Sequence, residues 1–140
     1  MKLSSANTED LPRVRDLLKA CRLPFEELAP SHLVLWDGER IAGVIGFEPK
    51  GNYILLRSLA VSEAYRGQGI ALYLTGKAEE EAASRGMKEI YLLTMTAEGF
   101  FDKLGYDKVP RKEAPSPIQE TEEFKRLCPD DAICMMKQLT

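Results

Sequence analysis

Residues 55–74 read L-L-R-S-L-A-V-S-E-A-Y-R-G-Q-G-I-A-L-Y-L, an apolar run that passes through a glycine-containing turn into a second apolar run. If the first is a strand and the second opens a helix, the junction aims several unpaired backbone N–H groups and the positive end of the helix dipole at one point. Such a point binds anions. Gly67 and Gly69 let the backbone approach a phosphate closely, and Arg66 adds a charge-assisted contact. A pyrophosphate suits the turn, against the plain reading of a helix that merely begins after a bend. Two other phosphate loops fit worse. The dinucleotide fingerprint G-x-G-x-x-G lacks its third glycine, since Leu72 stands there, and a P-loop would need Gly-Lys-Ser/Thr.

Arg66-x-x-Gly69-x-Ala71, preceded by Leu59-Ala60-Val61 and Tyr65, resembles the Q/R-x-x-G-x-G/A signature of the GCN5-related N-acetyltransferase (GNAT) family. The resemblance is strongest over 53–109. Residues 97–106, A-E-G-F-F-D-K-L-G-Y, are similar to the family's fourth helix and its Gly-aromatic entry to the next strand. It implies that Arg66, Gly67, Gln68, Gly69, Ile70 and Ala71 cradle the coenzyme A pyrophosphate. Leu59, Ala60 and Val61 would bond the pantetheine amides through their backbone and splay from a strand over 89–96, with the acetyl thioester in the gap. The implied fold is the α/β (α+β) acyl-CoA N-acyltransferase fold, a mixed central sheet flanked by helices. The implied activity is transfer of acetyl from acetyl-CoA to the amine of a small molecule, an amino acid or an amino-acid analogue. The run L-L-T-M-T-A-E-G-F-F with a late Val-Pro looks more like the N-acetylglutamate synthases and the arsenic-resistance-associated acetyltransferases than like ribosomal-protein acetyltransferases. A non-catalytic CoA- or metabolite-sensing module and a protein-lysine acetyltransferase are the rival readings.

The family's tyrosine general acid is replaced: by the same alignment its position holds Phe101, which cannot protonate a thiolate, and the usual strand-end asparagine is replaced by Thr94. Phe101 becomes a wall of the acyl pocket, or core alone. The chemistry needs a neutral amine, loss of one proton and donors for a developing oxyanion. Glu48 is the carboxylate placed to act as base, against a solvated turn acid. Arg57 holds a substrate carboxylate or faces solvent in an ion pair. His32 and Trp36 read as packing residues, and Glu79, Glu80 and Glu81 as a solvated helix face.

The positioning elements follow from periodicity and turn chemistry. A strand over 1–6 leads to a helix capped by Asn7 or Thr8, with Pro12 in its first turn and Leu11, Val14, Leu17, Leu18 and Cys21 on one face. Phe25 to Ala29, between Pro24 and Pro30, is a loop or one helical turn. Strands over 32–36 and 40–47 flank the Asp37-Gly38 turn, 49–52 makes a second turn, and 53–61 is a central strand. A helix over 68–85 carries Ile70, Leu72, Leu74, Ala78 and Ala82 and stops at Gly86. A strand over 89–96, a helix over 97–104 and a strand over 106–109 follow, giving an order with a strand–helix–strand crossover in its middle. Residues 111–117 wrap the surface, 121–127 form a helical turn, and 132–139 form a final strand.

The 140 residues suit one domain over 1–140, and 44% hydrophobic with 29% charged residues places the chain among ordinary folded proteins rather than disordered ones. A net charge of −3 leaves no basic field for a nucleic-acid backbone. No run approaches a membrane span, and the first ten residues lack a signal-peptide core, so the expected location is the cytoplasm with no membrane partner. Cys21, Cys128 and Cys134 lack Cys-x-x-Cys spacing and read as reduced thiols. Cys128 and Cys134 either share a thiophilic ligand or simply pack; no metal site is expected. The family resemblance further implies a dimer through terminal strands.

Overall fold

The structure is a computed structural model that describes residues 1–25 and 32–139, so the expected loop or turn at Phe25 to Ala29 lies outside the described residues beyond Phe25. Among the described residues, seven strands hydrogen-bond in the order β1-β2-β3-β4-β5-β7-β6. These are β1 Lys2–Ser5, β2 His32–Asp37, β3 Arg40–Lys50, β4 Tyr53–Val61, β5 Glu89–Thr94, β6 Asp107–Lys108 and β7 Ile133–Gln138. The helices are α1 Leu11–Ala20, α2 Ile70–Ser84, α3 Glu98–Lys103 and α4 Ser116–Gln119. The sheet is mixed, with β4 and β5 parallel and β1/β2, β2/β3, β5/β7 and β6/β7 antiparallel. Contacts gather the chain into two compact units, Met1–Glu48 with Leu56–Glu81 and Pro49–Leu55 with Ala82–Thr140.

In the first unit, Asn7 caps a 3-10 turn over Thr8–Asp10: the Asp10 N–H donates to the Asn7 side chain and the Asn7 N–H to the Asp10 carboxylate, both at 3.0 Å. This reciprocal pair satisfies two orphan donors and launches α1, whose Val14 and Leu18 are fully buried one turn apart. Both join Ala6, Val34, Val44 and Ala60 in a core against which Trp36 and Cys21 pack. Asp37 and Arg40 pair across the tight turn at Gly38, whose φ of +62° suits glycine. α2 buries Ile70, Leu74 and Ala78 here and Ala82 in the second unit, a four-residue stripe with Thr75 beside it. Leu72, expected on that stripe, is 54% exposed, because a two-residue step from Ile70 turns it about 200° away. Gly43 accepts the helix at close range: a Cβ there would stand 3.0 Å from Ile70 Cγ2 and Leu74 Cδ1 and 3.1 Å from the Ala60 carbonyl.

In the second unit, Leu55, Tyr91, Ala114, Ile118, Phe124 and Cys134 form the core. Residues 111–117 are therefore more than a surface wrap, since a 3-10 turn and α4 drive Ala114 and Ile118 inward. Arg111 secures this segment by donating to the Phe124 and Pro129 carbonyls at 2.7 and 2.6 Å. The turn over Glu123–Leu127 is a wide π-type turn in which the Cys128 N–H donates to the Glu123 carbonyl. The second expected turn is shorter than 49–52: β3 runs on through Pro49 to Lys50, as proline's fixed φ is compatible with extended backbone, and only Gly51 and Asn52 make the bend.

Candidate functional site

β4 ends at Val61, and the chain passes through a 3-10 turn over Glu63–Tyr65 to Arg66, Gly67, Gln68 and Gly69 before α2 begins at Ile70. Gly67 and Gly69 have φ of +80° and +78°, a left-handed conformation open to glycine and costly for other residues. A Cβ at either would meet no atom within 4 Å, so the space above both is open. The Tyr73 N–H is bonded to the Gly69 carbonyl, leaving the N–H groups of the first helical turn without intrahelical acceptors. Residues 66–69 are exposed while Ile70 is buried, so the loop projects from an anchored helix.

The loop is tied down on three sides. The Ser62 N–H donates to the Ala42 carbonyl of β3 at 2.8 Å. The Tyr65 hydroxyl donates to Asp37 of the β2–β3 turn at 2.6 Å, and this bond raises the Tyr65 pKa above its ordinary value. Arg66 folds back, with Nε at 3.3 Å from the Val61 carbonyl and Nη2 at 3.7 Å from Cys21 Sγ at the end of α1. Together they fix a loop with two left-handed glycines, open space above both, and a guanidinium beside the start of α2, features that suit an anion.

The other expected site residues divide. Arg57 and Glu48 come together, Nη1 to Oε1 at 2.5 Å, with the Arg57 side chain 1% exposed and that of Glu48 19% exposed. This overturns a solvent-facing Arg57 and a solvated turn position for Glu48, which lies inside β3. Arg57 Nε also reaches Ser58 Oγ at 3.3 Å. Ser58 itself has a φ of +58° in the middle of β4. Leu59, Ala60 and Val61 complete that strand, with Ala60 buried. Phe101 belongs to the second unit, buried and edge-on to Phe100 and Tyr106 at centroid distances of 5.0 and 5.3 Å. Thr94 Oγ1 accepts the Ala97 N–H at 3.0 Å and so closes the turn into α3.

His32 is buried against Gly46, and Trp36 donates Nε1 to Ser4 Oγ at 3.1 Å beneath the Arg13 guanidinium; both are packing residues. Cys134 is 2% exposed in the second core, and burial pushes its thiol up to about 11. Among the described residues no group of three or more His, Cys, Asp or Glu could hold a metal, and no helix is long and apolar enough to cross a membrane. Sequence reasoning missed Ser58 and the Tyr65–Asp37 and Arg66–Cys21 ties. Gly43 inside a β-rich run was a readable sign of close backbone approach; a serine carries no comparable sign of left-handed backbone.

The sequence model of the Acetyltransferase (GNAT) family matches residues 3–106. An uncharacterized N-acetyltransferase of Chlorobaculum tepidum is 37% identical over 86 residues, 60% of this chain and 54% of that protein. An acetyltransferase of Agrobacterium fabrum is 36% identical over 75 residues, 52% of this chain and 54% of that one. The chain thus spans about half the length of the curated relatives it matches. Among solved structures, N-acetylglutamate synthase from Neisseria gonorrhoeae, complexed with coenzyme A and N-acetyl-glutamate, superposes with a TM-score of 0.85 at 14% identity, over 99% of this chain and 35% of that one. A Mycobacterium tuberculosis protein in complex with CoA superposes with a TM-score of 0.81 at 16% identity, over the full length of both chains. At these identities the superpositions establish the fold.

Proposed function

Because this chain belongs to the Acetyltransferase (GNAT) family, we propose that it is an acetyl-CoA-dependent N-acetyltransferase whose acceptor is the amine of a small molecule, an amino acid or amino-acid analogue. The observation that carries this reading is the loop of Arg66, Gly67, Gln68 and Gly69, left-handed at both glycines and opening directly onto the first turn of α2. When bound, acetyl-CoA supplies an acyl group activated on sulfur, which a neutral amine takes up as the thiol departs.

The chain's own groups have distinct tasks in this reading. Backbone N–H groups of residues 67–71 and the Arg66 guanidinium neutralise the diphosphate. The backbone of Leu59, Ala60 and Val61 orients the pantetheine arm. Glu48 is tied to this strand through its pair with Arg57. That pair favours an anchoring role over proton abstraction, since the Glu48 carboxylate is already engaged by the Arg57 guanidinium. Phe101 gives no proton, so the departing thiolate takes one from water, from the amine or from another side chain.

Calorimetric titration of the folded protein with CoA and acetyl-CoA, followed by an amine panel read as thiol release, tests the proposal. Saturable heat with acetylation of one or more small amines supports it; no heat and no thermal shift at near-millimolar cosubstrate ends it. A second reading, a CoA-sensing module without turnover, is favoured by Phe101 standing where the resembling family has its tyrosine acid. Binding without transfer across the panel would select it, and acetylated peptides by mass spectrometry would select a protein-lysine acetyltransferase instead.

A further inference from the structure

Among the described residues, Arg22 and Ser58 are the non-glycine residues with left-handed backbone, at φ of +58° each. Arg22 follows the end of α1, where such a conformation terminates a helix. Ser58 sits inside a strand and has no such explanation. A non-glycine residue in this region is strained and persists where its surroundings hold it.

Those surroundings are visible. Ser58 is 8% exposed, and its Oγ lies 3.3 Å from Arg57 Nε. The opposite end of the same guanidinium is bonded to Glu48 Oε1. A guanidinium is a planar, rigid fork, so anchoring Nη1 on β3 also fixes where Nε stands on β4. Arg57, with its side chain 1% exposed, is thereby committed to an internal partner. We infer that the Glu48–Arg57 pair is a positioning device: it holds Ser58 in the left-handed conformation and so sets the direction in which the Leu59, Ala60 and Val61 backbone meets the acyl-bearing arm of coenzyme A. This inference rests on the cofactor reading proposed above and assigns Glu48 and Arg57 a role other than base or substrate ligand.

The pair acts on the pantetheine arm and leaves the diphosphate loop alone, which gives a readout that general destabilisation would not produce. The probes are CoA and 3′-phospho-ADP, the nucleotide half that ends at the diphosphate, each titrated calorimetrically into wild type, Arg57→Lys, Ser58→Ala, Ser58→Gly and Arg57→Lys/Ser58→Gly. Lysine keeps a cation for Glu48 but removes the Nε donor; alanine removes the acceptor alone. Both single variants should bind CoA roughly five- to thirty-fold more weakly, the factor matching the left-handed penalty of a non-glycine residue, with affinity for 3′-phospho-ADP unchanged. Glycine at position 58 adopts the conformation unaided, so the double variant should regain CoA affinity. Equal losses for both probes, no loss for CoA, or no recovery with glycine overturns the positioning role. Wild type that binds neither probe removes the cofactor reading and this inference with it, whereas wild type that binds both, with variants that do not discriminate, removes the positioning role alone.

Discussion

The imidazole of His32 lies so close over Gly46 that a Cβ there would stand 2.6 Å from its Nε2 and 2.8 Å from Cδ2. The two residues face each other in the β2–β3 register, and the ring is 1% exposed. Gly46→Ala must therefore displace a buried ring, at a cost of about 1–3 kcal/mol. Urea unfolding should show a lower midpoint with an unchanged slope. Placing His32→Ala in the same chain should recover part of the loss, because the two residues share one space.

The ion pair of Glu48 with the buried Arg57 predicts an asymmetry between two substitutions at position 48. Glu48→Ala leaves a buried cation without this partner and should destabilise by about 3–5 kcal/mol. Glu48→Gln keeps an oxygen acceptor and should cost clearly less. Thermal denaturation of both variants at neutral pH checks the order; equal losses would mean that the neutral acceptor restores nothing and that the charge carries the interaction.

Gly69→Glu and Gly69→Ala separate charge from strain at the candidate diphosphate loop. Each side chain enters open space at a φ of +78°, so each should lose about 1–2 kcal/mol of stability from backbone strain alone. Only glutamate adds a negative charge where the diphosphate would sit. CoA binding should vanish for Gly69→Glu and weaken far less for Gly69→Ala, by calorimetry; equal affinities would mean that the ligand lies elsewhere.

Cys134 predicts a loss of stability in alkali. Burial raises its thiol from 9.0 to about 11, so the folded chain holds this proton more tightly than the unfolded one. Below pH 9 the thiol is neutral in both states and contributes no slope. As pH rises from 9 toward 11 the unfolded chain releases its proton first, and stability falls by on the order of 2–3 kcal/mol. Tyr91, pushed up by burial and by its bond to Glu89, extends the trend to higher pH. Cys134→Ala should flatten the decline across pH 9–11 in denaturant titrations; an unaltered slope would assign it to other groups.

Much of this architecture was legible before any coordinates. The bounds of β4 agree with the apolar run at 53–61, the Gly86 stop of α2 with its φ of +74°, and Asn7 with its reciprocal bond to Asp10. These signals are local, carried by side-chain period and turn chemistry. What escaped was non-local or opposed to local preference. Leu72 looked apolar and inward, yet only its phase relative to Leu74 decides its face. Glu48 and Arg57 read separately as a base and a carboxylate holder, since nothing in their nine-residue spacing announces that they face each other across β3 and β4. Ser58 could not be foreseen, because the strain there is imposed by neighbours and not preferred by serine.

The absent side chain at Gly43 has a reach beyond packing. The first turn of α2 rests on that bare patch of β3 at van der Waals range, and the same turn supplies the amides of the glycine loop. In the proposed reading the loop's grip on an anion would be calibrated from beneath, by one methyl group that is not there. A drift from glycine to alanine some two dozen residues upstream would register first as a blunted affinity, in a molecule whose ligand-touching residues were all intact.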